Sequence, residues 1–277
     1  MTINCKGQLV DFIEPKVMGI LNLTPDSFYD GGKYKDEKSV LNQIDVMQND
    51  GATFIDIGGY SSRPGATDIS IDEELHRVIP IIELVLKHHP KLLISVDTFR
   101  SQVAKKAVAA GAAMVNDISG GDLDSSMYST IAELQVPYIL MHMRGNPQNM
   151  AQKTSYDDLI RDIFFELSKK IEHTVKHKIN DVIIDPGFGF AKTAEQNFCL
   201  LKNLSFFSNL DKPLLVGLSR KSMLWKTLKI SAKEALNATT SANTIALLNG
   251  ANILRVHDVK EAHECIKIVT QLKNAEC

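Results

Sequence analysis

The sequence predicts a single (β/α)8 barrel, the TIM-barrel class of α/β fold, and three observations lead there. Short apolar runs recur along the chain and alternate with longer segments of helical periodicity. Each run is near-continuous rather than alternating, as parallel strands covered on both faces should be. Almost every run also ends in a polar or charged residue, and a closed parallel barrel gathers all such ends on one face. A doubly wound open sheet shares the alternation and is the competing arrangement.

The elements follow in order. Residues 1–14 precede the first strand and read as an N-terminal extension, able to form a small hairpin across the lower end of the barrel; the barrel itself is expected over residues 15–277. Its strands are expected at Val17–Leu23, Thr53–Ile57, Leu92–Val96, Ala113–Val115, Pro137–Met141, Val182–Ile184, Leu214–Leu218 and Asn252–Val256. Ser39–Asp50 carries Val40, Ile44 and Met47 at helical spacing. Ile71–His88 opens on Asp72, Glu73 and Glu74, which suits the positive end of a helix dipole. Ser101–Ala110 ends at Gly111, a natural C-cap. Tyr156–Lys178 places Leu159, Ile163, Leu167 and Ile171 on one face. The remaining helices are expected at Ala194–Leu204, Lys221–Leu228, Ala238–Gly250 and Val259–Asn274. No linker composition or internal repeat divides the 277 residues, so one domain is expected.

Composition excludes several classes. A net charge of -2 offers no global basic surface for nucleic acid. The most apolar stretch, Val78–Leu86, is interrupted by Pro80 and Glu83, so no membrane span is expected. The start, MTINCKGQLVDFIEPK, lacks an apolar run long enough for a secretory leader. Cys5, Cys199, Cys265 and Cys277 are scattered without a CxxC pair and read as reduced thiols in a cytoplasmic protein. There is no HExxH, Walker loop or GxSxG, and GFGF at Gly187–Phe190 lacks the spacing of a dinucleotide fingerprint. His142 reads as a satisfied strand-end histidine, and Met141, His142 and Met143 as pocket lining rather than metal ligands.

The strand ends carry the chemistry. They are Asn22, Asp56, Asp97, Asn116 with Asp117, His142, Asp185, the trio Ser219, Arg220 and Lys221, and Arg255 with His257. One such residue is readily explained as a helix cap; the convergence of eight ends is not. Asp97, Asn116, Asp185 and Lys221 offer donors and acceptors for a flat heterocycle bearing N–H groups and a carbonyl. Asn22, Arg63, Arg255 and His257 suit a phosphate-bearing leaving group. Lys221 and Ser222 fall where the seventh helix should begin, a position that favours anions.

MGILNLTPDSFYDGG, IDIGGYSSRPGA, ISVDT, NDISGG, LMHMRGNP, IIDPGFGFAKT, LLVGLSRKSML and ILRVHDVKEA occur in an order that strongly resembles the bacterial dihydropteroate synthase family, from about Val17 to the C-terminus. The resemblance implies a (β/α)8 barrel. It implies a transferase that condenses hydroxymethyl-dihydropterin pyrophosphate with p-aminobenzoate, releasing pyrophosphate with the help of Mg2+, and that is inhibited by sulfonamides. By motif match, Asp97, Asn116, Met141, Asp185, Gly217, Lys221 and Arg255 would hold the pterin. Asn22, Arg63, Arg255 and His257 would hold the pyrophosphate, with Asn22 also the ligand to Mg2+. Thr24, Pro25, Ser62, Arg63, Pro64, Phe190, Lys221 and Ser222 would shape the aminobenzoate pocket, the loops at Thr24–Phe28 and Ser61–Gly65 closing over it. Asp97, Asp185, Lys221, Arg255 and His257 would be the catalytic set. The family is usually a homodimer.

The chain departs from the family pattern at Tyr60, where Glu is common, at Ser62, where Thr is common, and over Leu236–Thr244. None of these removes a residue assigned to substrate. Other readings of the same residues are a pterin-binding methyltransferase, a non-catalytic pterin-binding paralogue and, more remotely, a Schiff-base aldolase using Lys221.

Overall fold

The protein is described from a computed structural model over residues 1–23, 33–62, 65 and 67–276, with backbone only for 33–36. The expectations for Thr24, Pro25, Phe28, Arg63 and Pro64 lie outside the described residues. The strands are β1 Thr2–Cys5, β2 Gln8–Asp11, β3 Lys16–Asn22, β4 Phe54–Gly58, β5 Leu93–Asp97, β6 Met114–Asp117, β7 Tyr138–Met141, β8 Val182–Asp185, β9 Leu215–Val216 and β10 Ile253–Val256. The helices are α1 Lys33–Asn49, α2 Ile71–His88, α3 Ser101–Ala109, α4 Met127–Leu134, α5 Leu159–Lys176, α6 Ala194–Lys202, α7 Ser222–Leu228, α8 Leu236–Leu248 and α9 Val259–Asn274.

Strands β3 to β10 pair in parallel in the order β8-β7-β6-β5-β4-β3-β10-β9, and a parallel bridge between Ile184 and Leu214 joins the two ends. The sheet therefore closes into the expected barrel, and an open doubly wound sheet is ruled out. Closure explains the unbroken apolar runs. In β3, Val17 and Leu21 face the helices while Met18 faces the lumen, and all three are buried. Both strand faces are dry, so both must be apolar.

The lumen is layered. Its lower part is a cluster built on Met18, Phe54, Leu93, Met114, Ile183 and Ile253. β1 and β2 form an antiparallel hairpin, and its Ile3, Cys5, Val10 and Phe12 join that cluster. One step higher, the inward positions turn polar: Asp56 pairs in register with Ser95, Gly58 with Asp97, and Asp97 with Asn116. This is the layer that the strand-end residues build.

Two sequence-based expectations need correction. Met127–Leu134 is a helix that the chain's Gly-, Ser- and Asp-rich surroundings conceal; it buries Met127, Tyr128 and Ile131. β9 is only two residues long rather than five. Two helices follow it before β10, as the sequence predicts. The second of these, α8, contains the unusual Leu236–Thr244 segment, where Thr239 Oγ1 accepts a hydrogen bond from the Arg220 backbone N–H at 3.0 Å.

The hairpin is thus part of the folding core. Phe12→Ala should lower stability by about 3 kcal/mol in urea unfolding, the usual cost of deleting a buried aromatic ring. A loss below about 0.5 kcal/mol would show that the hairpin only rests on the barrel.

Candidate active site

The polar layer centres on one cation. Arg255, from β10, donates from Nε to Asp56 Oδ2 at 2.6 Å and from Nη2 to Asp97 Oδ2 at 2.7 Å. Asn116 adds an amide donor to the same Asp56 oxygen at 2.9 Å. Asp56 is wholly buried, and the Arg255 side chain is 21% exposed. With both carboxylates ionised, this trio carries a net charge of minus one in a desolvated lumen. Among the described residues, Asp56 Oδ1 and Ser95 Oγ are buried there without a hydrogen-bond partner. Such atoms cost free energy unless a ligand meets them.

Beside the trio stands a second pair. Asp185, at the end of β8, accepts from the Gly187 backbone N–H at 2.8 Å. Lys221 sits at the N-cap of α7, and its ammonium donates to the Phe188 carbonyl and lies 4.4 Å from the Phe190 ring centre. The turn between them, Gly187–Phe190, is tightly seated. Gly187 has φ +73°, and a Cβ there would lie 2.0 Å from the His142 carbonyl oxygen. Met141 packs with Ile118, Met143, Met150 and Ala191, with Phe190 against them, forming an apolar wall at the barrel mouth. A Cβ on Gly217 would meet nothing within 4 Å, so this glycine leaves space in the wall.

Charge and burial displace the titrations. Burial pushes Asp97 up, to about 7, against the pull of Arg255 and with the help of Asp56. The short Arg255 bridge would by itself lower it. One guanidinium cannot fully compensate two buried carboxylates, and the upward direction follows. Burial works against the Arg255 cation too, but Asp56 and Asp97 outweigh it and raise its pKa. Burial raises Asp185, opposed by Gly187 N–H, Lys221, Lys192 and Arg255. Lys221 falls to about 8 through burial, opposed by Asp185.

At the rim, the exposed His257 shares a 3.1 Å contact between its Nδ1 and Ser219 Oγ, and Ser219 Oγ also accepts the His257 backbone N–H. Asn22 is half-buried at the end of β3, and Ser222 is exposed at the start of α7. Ser62 is half-buried in the loop after β4. In that loop, Tyr60 is buried edge-on against Phe99, 5.0 Å between ring centres, and its hydroxyl accepts from Gln148 Nε2 at 2.9 Å. The neighbouring cation, Arg100, pairs instead with Glu74 at 2.9 Å and Asp68 at 2.9 Å. Among the described residues, an aromatic ring at position 60 therefore leaves the neighbouring Arg100 paired.

The structure separates the strand-end residues by the face they occupy. Asp56, Asp97, Asn116, Asp185 and Arg255 converge on the lumen. Asp117 does not: it accepts from Ser119 N, Ser119 Oγ, Gly121 N and Tyr138 OH, and it shapes the loop after β6. Arg220 likewise binds Asp258 through two hydrogen bonds and ties β9 to β10. His142 is fully buried between Lys192 and Glu166, a satisfied histidine as its sequence context implies. Asp56 stands among the strand ends in the sequence but belongs to no assigned substrate contact; its partner Arg255 is 199 residues away. Lys192, wholly within the site's supporting structure, has no sequence signal beyond its place after GFGF.

The chain is similar to known proteins over nearly its full length. Residues 18–257 match the family model of the pterin binding enzymes. A dihydropteroate synthase of Escherichia coli is 40% identical over 281 residues, spanning 100% of this chain and 98% of that protein. The Yersinia pestis dihydropteroate synthase, solved in a sulfonamide drug complex, superposes with a TM-score of 0.93 at 40% identity, over 99% of this chain and 100% of that one. The Xanthomonas albilineans enzyme, solved with 4-aminobenzoic acid, superposes at 0.92 with 36% identity, over 99% of each chain. The chain belongs to the pterin-binding enzyme family and, within it, to the dihydropteroate synthases.

Proposed function

We propose that the lumen layer around Arg255 binds the pterin of hydroxymethyl-dihydropterin pyrophosphate and that the rim above it receives the pyrophosphate and p-aminobenzoate. The observation that carries this reading is the net negative trio of Asp56, Asp97 and Arg255, beside the carboxylate of Asp185. Asp97, Asn116, Asp185 and Lys221 meet the hydrogen-bonding edge of the ring, and Met141 and Gly217 border its faces. Arg255, His257, Asn22 and Arg63 receive the pyrophosphate. Phe190, Lys221, Ser62 and Ser222, with Thr24, Pro25, Arg63 and Pro64, form the aminobenzoate pocket.

The residues present fit Mg2+ arriving with the pyrophosphate. Among the described residues no cluster of three His, Cys, Asp or Glu side chains could hold a metal by itself. Mg2+ commonly takes one or two protein oxygens together with substrate phosphates and water, and the Asn22 amide oxygen at the rim suits that role. When bound, the ion supplies charge neutralisation on the leaving pyrophosphate.

The chain's own residues do the rest. Arg255 and His257 orient the leaving group and donate hydrogen bonds to its oxygens. As the bond from the pterin methylene to oxygen breaks, positive charge spreads into the pterin ring. Asp97 and Asp185, held against ring N–H groups, favour that charge before it forms. The arylamine attacks as a neutral nucleophile whose proton becomes acidic after attack, so no strong base is required. Phe190 and Met141 keep water from the reacting carbon.

The chain pairs with a second copy in the cytoplasm on this reading. α8 and α9 pack together and expose Ile245, Leu248, Ile268 and Leu272, apolar side chains that a second copy would cover. Cys5, Cys199 and Cys265 are free thiols, and among the described residues no helix is long and apolar enough to cross a membrane.

Purified protein given the pterin pyrophosphate, p-aminobenzoate and Mg2+ should form dihydropteroate and pyrophosphate in equal amounts, and a sulfonamide should compete with p-aminobenzoate. Absence of product sinks the reading. Arg255→Ala should lower kcat/KM for the pterin substrate by at least about a hundredfold, the scale of losing a charged transition-state contact; unchanged kinetics would refute its role.

The acid limb of kcat/KM for the pterin substrate should lie near pH 7, because activity rises as Asp97 loses its proton. Asp97→Asn should abolish that limb along with most activity, and an identical limb in the variant would assign it elsewhere.

Light scattering should give twice the chain mass, and Ile268→Glu combined with Leu272→Glu should give the single-chain mass. A wild-type monomer at working concentration removes the dimer proposal.

A further inference from the structure

Beneath the aminobenzoate wall lies a chain of buried polar groups with no assigned part in the reaction. Lys192 is 8% exposed, and its ammonium makes three contacts: Gly187 O at 2.9 Å, Phe190 O at 3.0 Å and His142 Nδ1 at 3.0 Å. These three acceptors match the three N–H groups of an ammonium. The match fixes the histidine: Nδ1 must offer its lone pair, so Nε2 carries the proton and donates to Glu166 Oε2 at 2.9 Å. The other Glu166 oxygen accepts from Arg144 Nε at 2.9 Å and Nη2 at 2.5 Å. Burial and the Lys192 charge lower His142 to about 3, which keeps it neutral. The series Lys192–His142–Glu166–Arg144 is therefore satisfied end to end, and it ends on a partly exposed ion pair.

The two carbonyls that Lys192 grips are the first and last of the turn Gly187–Phe190. The carbonyl of Phe188, between them, is taken by Lys221. The turn is thus held by two lysines through different carbonyls, one within the site and one beneath it. Gly187 supplies the N–H that Asp185 accepts, and Phe190 supplies the ring beside Lys221. Tyr156 OH donates to Ala191 O at 2.9 Å, securing the residue next to Lys192 from the α5 side.

We propose that Lys192 is a positioning residue of the transferase site: through the carbonyls of Gly187 and Phe190 it sets the turn that orients Asp185 and the Phe190 wall, and His142 and Glu166 hold it in place. The inference rests on the aminobenzoate role proposed for Phe190. Lys192 also acts through its field. The charged groups facing Asp185 are Lys192, Lys221 and Arg255, and those facing Lys192 are Asp185, Lys221, Glu166 and Arg144. Burial lowers Lys192 to about 7, so below that pH it is one of three cations that favour the Asp185 carboxylate, and its loss there lets Asp185 hold its proton to higher pH.

Lys192→Met keeps the length of the side chain without its donors. The expected result is a KM for p-aminobenzoate raised by about tenfold with a smaller fall in kcat, since orientation of a wall is lost and the reacting groups remain. His142→Leu should reproduce the rise in KM. His142→Gln, with an acceptor for Lys192 and a donor for Glu166, should recover most of the wild-type value. If Lys192→Met does not fold by circular dichroism, Glu166→Ala, which releases His142 from outside the lumen, is measured instead and should raise the same KM. Phe190→Ala, run in parallel, tests the aminobenzoate wall itself. If it raises that KM while folded Lys192→Met, or Glu166→Ala in its place, leaves KM unchanged, the positioning role is overturned and the wall stands. If Phe190→Ala leaves KM unchanged, the wall falls and this inference falls with it.

Discussion

The site depends on one guanidinium shared by two buried carboxylates. Arg255 bridges Asp56 and Asp97 across neighbouring parts of the barrel, where little water can reach them. Such a trio is weak evidence of stability, since burying the charges costs much of what their attraction returns. Its value is in what it prepares. A site carrying excess negative charge, with fixed hydrogen-bond directions, favours a ring that becomes cationic as its leaving group departs. Removing one partner from such a buried pair costs roughly 3–5 kcal/mol, so the barrel must be stable enough to tolerate the arrangement.

That stability comes from the apolar layers around and below the trio. The lower lumen is sealed by side chains of β3 to β10 and by the β1–β2 hairpin. The outer faces of the strands are covered by the helices. The polar layer therefore has a dry floor and dry walls, and only its upper side opens to the rim. The low effective dielectric that makes Asp97 hard to ionise is the same property that makes its charge effective once formed.

The legibility of the protein varies with the range of the interactions. Barrel class, strand order and the lumen residues Asp97, Asn116, Asp185 and Arg255 could be read from local pattern, because each strand signals its own end. The helix Met127–Leu134 could not, because its eight residues lie in a turn-rich composition and its stability comes from burying Met127, Tyr128 and Ile131 against other elements. Asp117 reads like its neighbour Asn116, yet adjacent strand residues face opposite sides, and its carboxylate builds a loop instead. Asp56 was visible as a strand end, but its tie to Arg255 was not. Glu166 carried no pattern, and Lys192 none beyond its place after GFGF, for their partners are brought together only by the packing of β7, β8 and α5.

By itself, then, the sequence determined the barrel, its family and the polar chemistry of the mouth. These rest on short-range periodicity and on motifs tens of residues apart in fixed order. The tertiary structure decided which carboxylates share Arg255, which proton His142 carries and which lysine supports the turn beneath Phe190. Those outcomes depend on distances of about 3 Å between side chains far apart in the chain. Only closure of the barrel, which sets strand register and removes water from the lumen, brings such groups to hydrogen-bonding range.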